Sequence, residues 1–291
     1  MRVSFLGLGV MGYPMAGHLA GRFPTTVWNR TAGRAEAHAA EFATLAAATP
    51  TEAADADVLF TCLPTSREVE GLVPAVLEGA RPGLAWVDCT SGDPAASRRI
   101  AAHLAEAGVS FMDAPVSGGV AGAKAGSLTV MVGGEAPVLA RARPAIDAFA
   151  GKVVHVGPLG AGMAVKAANQ VVLAVNILAL AEVLAGLELA GVPAATALEV
   201  INASSGRSNA SQNLFPERVV GRAFPTTFAL GLLAKDVGIG AGSLREQGLA
   251  APFSGLAENL LAVAKRELGP DVDHVAAVQL LERWAGVEIG A

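Results

Sequence analysis

The chain has 291 residues, 52% of them hydrophobic and 16% charged, with a formal net charge of −5 at pH 7, which marks a packed globular protein and excludes a disordered one. Its Lys and Arg residues are scattered, so neither nucleic acid nor an anionic membrane surface is an expected partner. Two cysteines without repeated spacing, Cys62 and Cys89, suit a reducing compartment, and five histidines in no ligand-like pattern predict no metal.

No basic, then apolar leader opens the chain, and the expected location is the cytoplasm. At about 100 to 200 residues per domain, two domains are expected. In the first half, strand-like runs alternate with alanine-rich helical ones. RVSFLGLG, TTVWN, VLFTCLP, LAWVDCT, SFMDAPV, LTVMVGG and VVHVG read as strands. PMAGHLAG, AGRAEAHAAEFA, SREVEGLVPAVLEG, PAASRRIAAHLAEAG and APVLARARPAIDAF read as the helices between them. This alternation predicts a doubly wound α/β domain with a mostly parallel sheet over residues 1–157. Beyond Gly157 the strand signals stop. Helical patterns follow at 161–190, 194–203, 228–247, 253–268 and 275–285, so residues 158–291 are expected to form an all-helical domain that opens with a long helix. That helix is strongly apolar, but Lys166 to Gln170 and Glu182 keep its uninterrupted run below the roughly 18 to 20 residues of a membrane span. A buried helix is expected.

The first strand runs into GLGVMG, where Gly7, Gly9 and Gly12 form GxGxxG with Leu8, Val10 and Met11 between them. A strand before the motif and a helix carrying Pro14 after it are the context in which such a loop binds a dinucleotide. Glycine lets the backbone approach a pyrophosphate at the positive end of the helix. The second strand closes with WNRT. Asn29 stands where a carboxylate would hold the ribose 2′-OH of NAD, while Arg30 and Thr31 offer a cation and a hydroxyl to a 2′-phosphate. NADP is the preferred cofactor on this reading, with NAD as the second choice.

Lys166 opens a long apolar helix, and an ammonium in such a setting usually shifts its pKa or does chemistry. At about 100° per residue, Asn169, Gln170 and Asn176 fall within roughly 80° of it. This narrow polar stripe suits a closed cleft. Oxidising an alcohol requires loss of its hydroxyl proton, and the reverse reduction requires a donor at the same oxygen. A lysine can serve once burial and a cationic nicotinamide bring its pKa down from about 10.4. Lys166 is therefore the expected general acid/base, with Asn169 holding either the lysine or the substrate hydroxyl.

GLGVMGYPMA, CLP at 62–64, DAPVSGG at 113–119, GAGMAVKAANQ and LLAKD at 232–236 occur in the order seen in the β-hydroxyacid dehydrogenases, and the chain resembles the 3-hydroxyisobutyrate dehydrogenase branch of that family along its whole length. The resemblance implies a Rossmann domain, a helical domain, a long interdomain helix joining them, homodimers or homotetramers and reversible oxidation of a small 3-hydroxy acid. It also implies that Ser117, Gly118 and Gly119, with Asn169, bind substrate, the first three at its carboxylate. Leu63, Pro64 and Ser91 are implied to line the cofactor, and Lys235 to lie over it. Most of the family carries Thr where this chain has Ser91. The expected reaction is NADP-linked conversion of 3-hydroxyisobutyrate to methylmalonate semialdehyde. Tartronate or succinic semialdehyde reduction is the alternative inside the family, and a non-catalytic dinucleotide sensor the alternative outside it.

Overall fold

A computed structural model describes residues 1–290. The chain divides into two compact units, Met1–Lys166 and Ala167–Ala291.

The first unit is built on a nine-stranded sheet. Its strands are β1 (Val3–Leu6), β2 (Thr25–Trp28), β3 (Leu45–Ala46), β4 (Val58–Thr61), β5 (Ala85–Asp88), β6 (Ser110–Asp113), β7 (Val116–Ser117), β8 (Leu128–Gly133) and β9 (Ala150–Gly157). The order β3-β2-β1-β4-β5-β6 is parallel throughout. β8 then runs antiparallel to both β6 and β7, and β9 lies parallel to β8. β1, β4 and β5 are buried at every position, which is why they read as continuous Val, Leu, Phe and Trp runs instead of alternating ones. Because the strand order reverses between β1 and β4, a crevice opens beyond their carboxyl ends.

Local signals set most of the helix boundaries. Pro94 sits at the start of the helix Pro94–Ala105, and the Asp93 carboxylate accepts the Ala95 N–H at 2.9 Å as its cap. The expected single helix over SREVEGLVPAVLEG is instead two, Ser66–Glu70 and Val73–Gly79. Pro74 has no N–H for a continuing ladder and clashes with the preceding turn, so the chain restarts there. Two two-residue strands, β3 and β7, and the short helices Pro50–Ala53 and Gly119–Ala125 are additions to the expected pattern. Elements this short have no periodicity to read.

The first unit continues past the expected boundary at Gly157, through to Lys166. The reason is a carboxylate: Asp113 accepts the N–H groups of Gly160 and Met163, which ties the first turn of the following helix to the sheet.

That helix, Ala161–Leu189, is long and apolar enough by composition to cross a membrane. Ala174, Ile177, Ala181 and Leu184 are buried in the second unit, so it serves as a core helix there. Helices Ala194–Asn202, Leu230–Glu246, Pro252–Leu268 and Val278–Ala285 complete that unit, with a π-helix at Ala210–Val220 that the periodicity did not announce.

Candidate active site

The loop after β1 shows why each glycine of GLGVMG is there. Gly7 has φ +103°, and a Cβ on it would stand 2.4 Å from the Cys62 carbonyl oxygen. A Cβ on Gly12 would lie 1.9 Å from the Gly7 carbonyl oxygen, so the helix Gly12–Ala20 can pack this close only with glycine. Gly9 is different. Nothing lies within 4 Å of its would-be Cβ, which leaves its face open to a phosphate.

Around this loop a cavity of about 620 Å³ is lined by Gly7, Gly9, Val10, Met11 and Gly12, by Trp28 to Thr31 with Arg34, and by Cys62, Leu63, Pro64 and Glu68. Its size and its exposed helix start suit a dinucleotide. Leu8 plays another part than expected. Its side chain is in the core, and its N–H donates to Asn29 Oδ1 at 3.0 Å. Asn29 also donates from Nδ2 to the Thr31 carbonyl at 3.1 Å, so it braces the glycine loop against the loop after β2.

Arg30 and Thr31 line the cavity. Arg34, which sequence reasoning did not single out, joins them and donates to the Leu8 carbonyl at 3.0 Å. Its position was available as a signal: Arg34 follows Arg30 by four residues at the start of a predicted helix. All three side chains are exposed and form a cationic, hydroxyl-bearing rim suited to a phosphate.

Below the cavity runs a buried polar chain. Trp86 Nε1 donates to Thr61 Oγ1 at 2.9 Å, and Thr61 Oγ1 donates to Asp88 Oδ1 at 2.8 Å. Asp88 Oδ1 also accepts the Thr90 N–H at 3.1 Å, and Thr90 Oγ1 accepts the Leu63 N–H at 3.0 Å. The Cys62–Pro64 loop is therefore set by Asp88 and Thr90, with Ser91 following directly and half-buried. Burial pushes the Asp88 carboxyl up to about 6 against the hydrogen bonds from Thr90 and Thr61. Burial also drives the Cys62 thiol up to about 12, which makes it a poor nucleophile.

Ser117 ends β7, and Gly118 and Gly119 follow with φ of +132° and +61°. Both glycines are exposed, and their conformation turns the chain into the helix Gly119–Ala125, whose first N–H groups have no intrahelical partner. Such a turn can receive a carboxylate.

Lys166 is 9% exposed, on the first turns of the long helix. In the second unit, Asn169 Nδ2 donates to Gln170 Oε1 at 3.1 Å, and Gln170 Nε2 donates to Asp236 Oδ2 at 3.2 Å. The Lys235 ammonium pairs with Asp236 Oδ1 at 3.1 Å. Asp236 is 3% exposed, so one buried carboxylate links the side chains of Asn169, Gln170 and Lys235. Neighbouring positions in LLAKD could not reveal a partner 66 residues away.

A glycine loop at the switch point of a parallel sheet, with a phosphate rim on the adjacent strand, defines a dinucleotide-binding Rossmann protein. Residues 2–157 match the NAD binding domain of 6-phosphogluconate dehydrogenase, and residues 160–281 match the NAD-binding domain of NADP-dependent 3-hydroxyisobutyrate dehydrogenase. The chain is 33% identical over 290 residues to a probable 3-hydroxyisobutyrate dehydrogenase of Mycobacterium tuberculosis, covering 97% of this chain and 98% of the relative. The M. tuberculosis 3-hydroxyisobutyrate dehydrogenase structure with L-serine superposes with a TM-score of 0.88, covering 96% of this chain and 98% of that one at 33% identity. This chain is also 34% identical over 296 residues to an NAD-dependent L-serine dehydrogenase of Pseudomonas aeruginosa, covering 98% of this chain and 99% of the relative. Identity to a 2-hydroxy-3-oxopropionate reductase of Escherichia coli is 32% over 291 residues, covering 98% of each. The chain belongs to the β-hydroxyacid dehydrogenase family, in its 3-hydroxyisobutyrate dehydrogenase group, and is an NAD(P)-dependent oxidoreductase.

Proposed function

We propose that this enzyme oxidises a short 3-hydroxy acid with NADP⁺, and that 3-hydroxyisobutyrate, giving methylmalonate semialdehyde, is its substrate. The observation that carries the chemistry is Lys166, buried at the head of the long helix. The glycine loop would hold the pyrophosphate of the dinucleotide, which when bound would supply the hydride acceptor for the carbinol carbon. Lys166 Nζ removes the proton from the substrate hydroxyl, and returns it at the same oxygen in the reverse direction. Asn169, one helical turn on, holds that hydroxyl or the lysine in place. Ser117, Gly118 and Gly119 hold the substrate carboxylate, and Leu63, Pro64 and Ser91 line the cofactor.

The substrates named by the relatives share one reacting unit. 3-Hydroxyisobutyrate, L-serine and the reduced form of 2-hydroxy-3-oxopropionate each carry a primary alcohol on the carbon next to the one bearing the carboxylate, and they differ in a methyl, an amino or a hydroxyl group. The apparatus assigned here reads the alcohol and the carboxylate, which supports the class as a whole. The E. coli relative favours tartronate semialdehyde (2-hydroxy-3-oxopropionate) reduction as the second reading.

NADP preference rests on Arg30, Thr31 and Arg34 at the cavity and on Asn29 in place of an acidic residue. A cytoplasmic location is part of the same proposal, supported by two cysteines that are both free. A homodimer or homotetramer accounts for the exposed apolar face of the long helix, where Val165, Val172 and Val183 lie 43%, 59% and 53% exposed.

The test is initial-rate NADP⁺ reduction with 3-hydroxyisobutyrate, L-serine, D-glycerate and 4-hydroxybutyrate, repeated with NAD⁺. A higher kcat/KM for 3-hydroxyisobutyrate with NADP⁺ supports both assignments. A lead for D-glycerate moves the substrate to the second reading, and equal use of NAD⁺ removes the cofactor preference.

A further inference from the structure

Asp113 ends β6 with its side chain fully buried. Both carboxylate oxygens are committed to backbone at the start of the long helix: Oδ1 accepts the Gly160 N–H at 2.6 Å, and Oδ2 accepts the Met163 N–H at 2.8 Å. The helix is thus capped by a residue 47 to 50 positions earlier in the chain, and the negative charge stands at the positive end of a 29-residue helix. Burial pushes the carboxyl above its ordinary range, opposed by the N–H groups it accepts.

The neighbouring backbone packs closely around this carboxylate. Gly133 on β8 is paired with Asp113, and a Cβ there would stand 2.6 Å from Oδ1. A Cβ on Gly162 would meet the Met131 carbonyl oxygen at 2.3 Å and Oδ2 at 2.7 Å. Two glycines therefore let the helix lie directly on the sheet, with the carboxylate between them. A third tie comes from the loop after β5, where the Gly92 N–H donates to Met163 Sδ at 3.3 Å.

Two segments of the site are referenced to this one group. Running forward from Asp113, the chain reaches β7, which is registered on β8 through Val116 and Ser117, and ends in the Gly118–Gly119 turn. Running along the capped helix, Lys166 follows Met163 by three residues, about one turn.

We infer that Asp113 is a positioning residue for catalysis, its carboxylate fixing the helical turn that carries Lys166 in register with the Ser117–Gly119 turn. The inference rests on the assignment of Lys166 as acid/base. Misplacing a reacting group by about 1 Å can cost on the order of 100-fold in rate, so the effect should fall on turnover. Dinucleotide binding uses the glycine loop and should be spared.

Asp113→Asn keeps the shape but presents an amide NH₂ to one of the two N–H groups. With 3-hydroxyisobutyrate and L-serine as probes, its kcat is expected to fall about 10- to 100-fold. NADP⁺ affinity by fluorescence titration should stay within about twofold, since the glycine loop is untouched. The ionisation in the kcat–pH profile should also move, which a purely structural bond would not cause in the folded fraction. Gly162→Ala strains the same junction without removing the charge and should reproduce the kcat loss, which keeps the idea testable if Asp113→Asn does not fold. A folded Asp113→Asn or Gly162→Ala enzyme with kcat within twofold of the parent and an unchanged pH profile overturns it. Lys166→Ala separates the two assignments. Turnover retained there removes the acid/base role itself, whereas an inactive Lys166→Ala beside a fully active Asp113→Asn removes only the inference about Asp113.

Discussion

Arg30 and Arg34 both line the cavity, and the proposed NADP preference makes them share a 2′-phosphate. A hydrogen bond to a charged partner contributes about 1.5 to 3 kcal/mol, so Arg34→Ala should raise the KM for NADP⁺ roughly 10- to 100-fold and leave that for NAD⁺ nearly unchanged. Arg30→Ala should do the same. Equal effects on both cofactors, measured by initial rates, would count against a 2′-phosphate site. Asp88 offers a second measurement at this scale. Its carboxyl, raised to about 6 by burial, binds its proton more tightly in the folded chain than in the unfolded one. Its contribution to stability is therefore largest below the ordinary carboxylate range and is lost as pH rises through about 6. A shift of this size corresponds to roughly 3 kcal/mol. Asp88→Asn removes the ionisation, so its melting temperature relative to the parent should rise between pH 4 and pH 7; a relative melting temperature that falls over that range would reverse the sign.

Among the elements, the loop after β1 and the helix behind it separate packing from binding in one motif. Gly12→Ala places a Cβ 1.9 Å from the Gly7 carbonyl oxygen, and overpacking of this kind costs about 1 to 3 kcal/mol or more. It should lower both the melting temperature and dinucleotide affinity. Gly9→Ala meets no atom within 4 Å and should melt like the parent while losing dinucleotide affinity. Thermal melts beside NADP⁺ titrations check the pair, and a Gly9→Ala protein that binds normally would take the phosphate away from this loop. The motif was legible in the sequence because a strand, a glycine turn and a helix are contiguous. The bracing of that loop by Asn29 was not, because the residue that fills a ligand's usual place was expected to face the ligand. Its side chain instead satisfies the Leu8 N–H and the Thr31 carbonyl.

At the scale of the whole molecule, the long helix bears an apolar face that its own packing leaves exposed. Val165, Ala168, Val172, Ala179 and Val183 fall within roughly 60° of one another around the axis, and all five are exposed. If a second copy covers this face, Val172→Glu with Val183→Glu should convert the dimer or tetramer to smaller species in light scattering at micromolar concentration. A parent chain that is already monomeric under those conditions would count against association through this face.

What the sequence determined by itself is whatever short covalent spacing encodes. Alternating runs specified a parallel sheet followed by helices, closely spaced glycines specified the turn between β1 and its helix, and a lysine in an apolar helix marked the proposed acid/base. The tertiary structure decided which buried polar groups meet: Asp113 with the start of the long helix, Asp88 with Thr61 and Thr90, and Asp236 with Gln170. Each of these carboxylates is held by at least one partner 27 to 66 residues away. A buried carboxylate must find donors, but only the packing of the sheet and helices determines which donors come within reach.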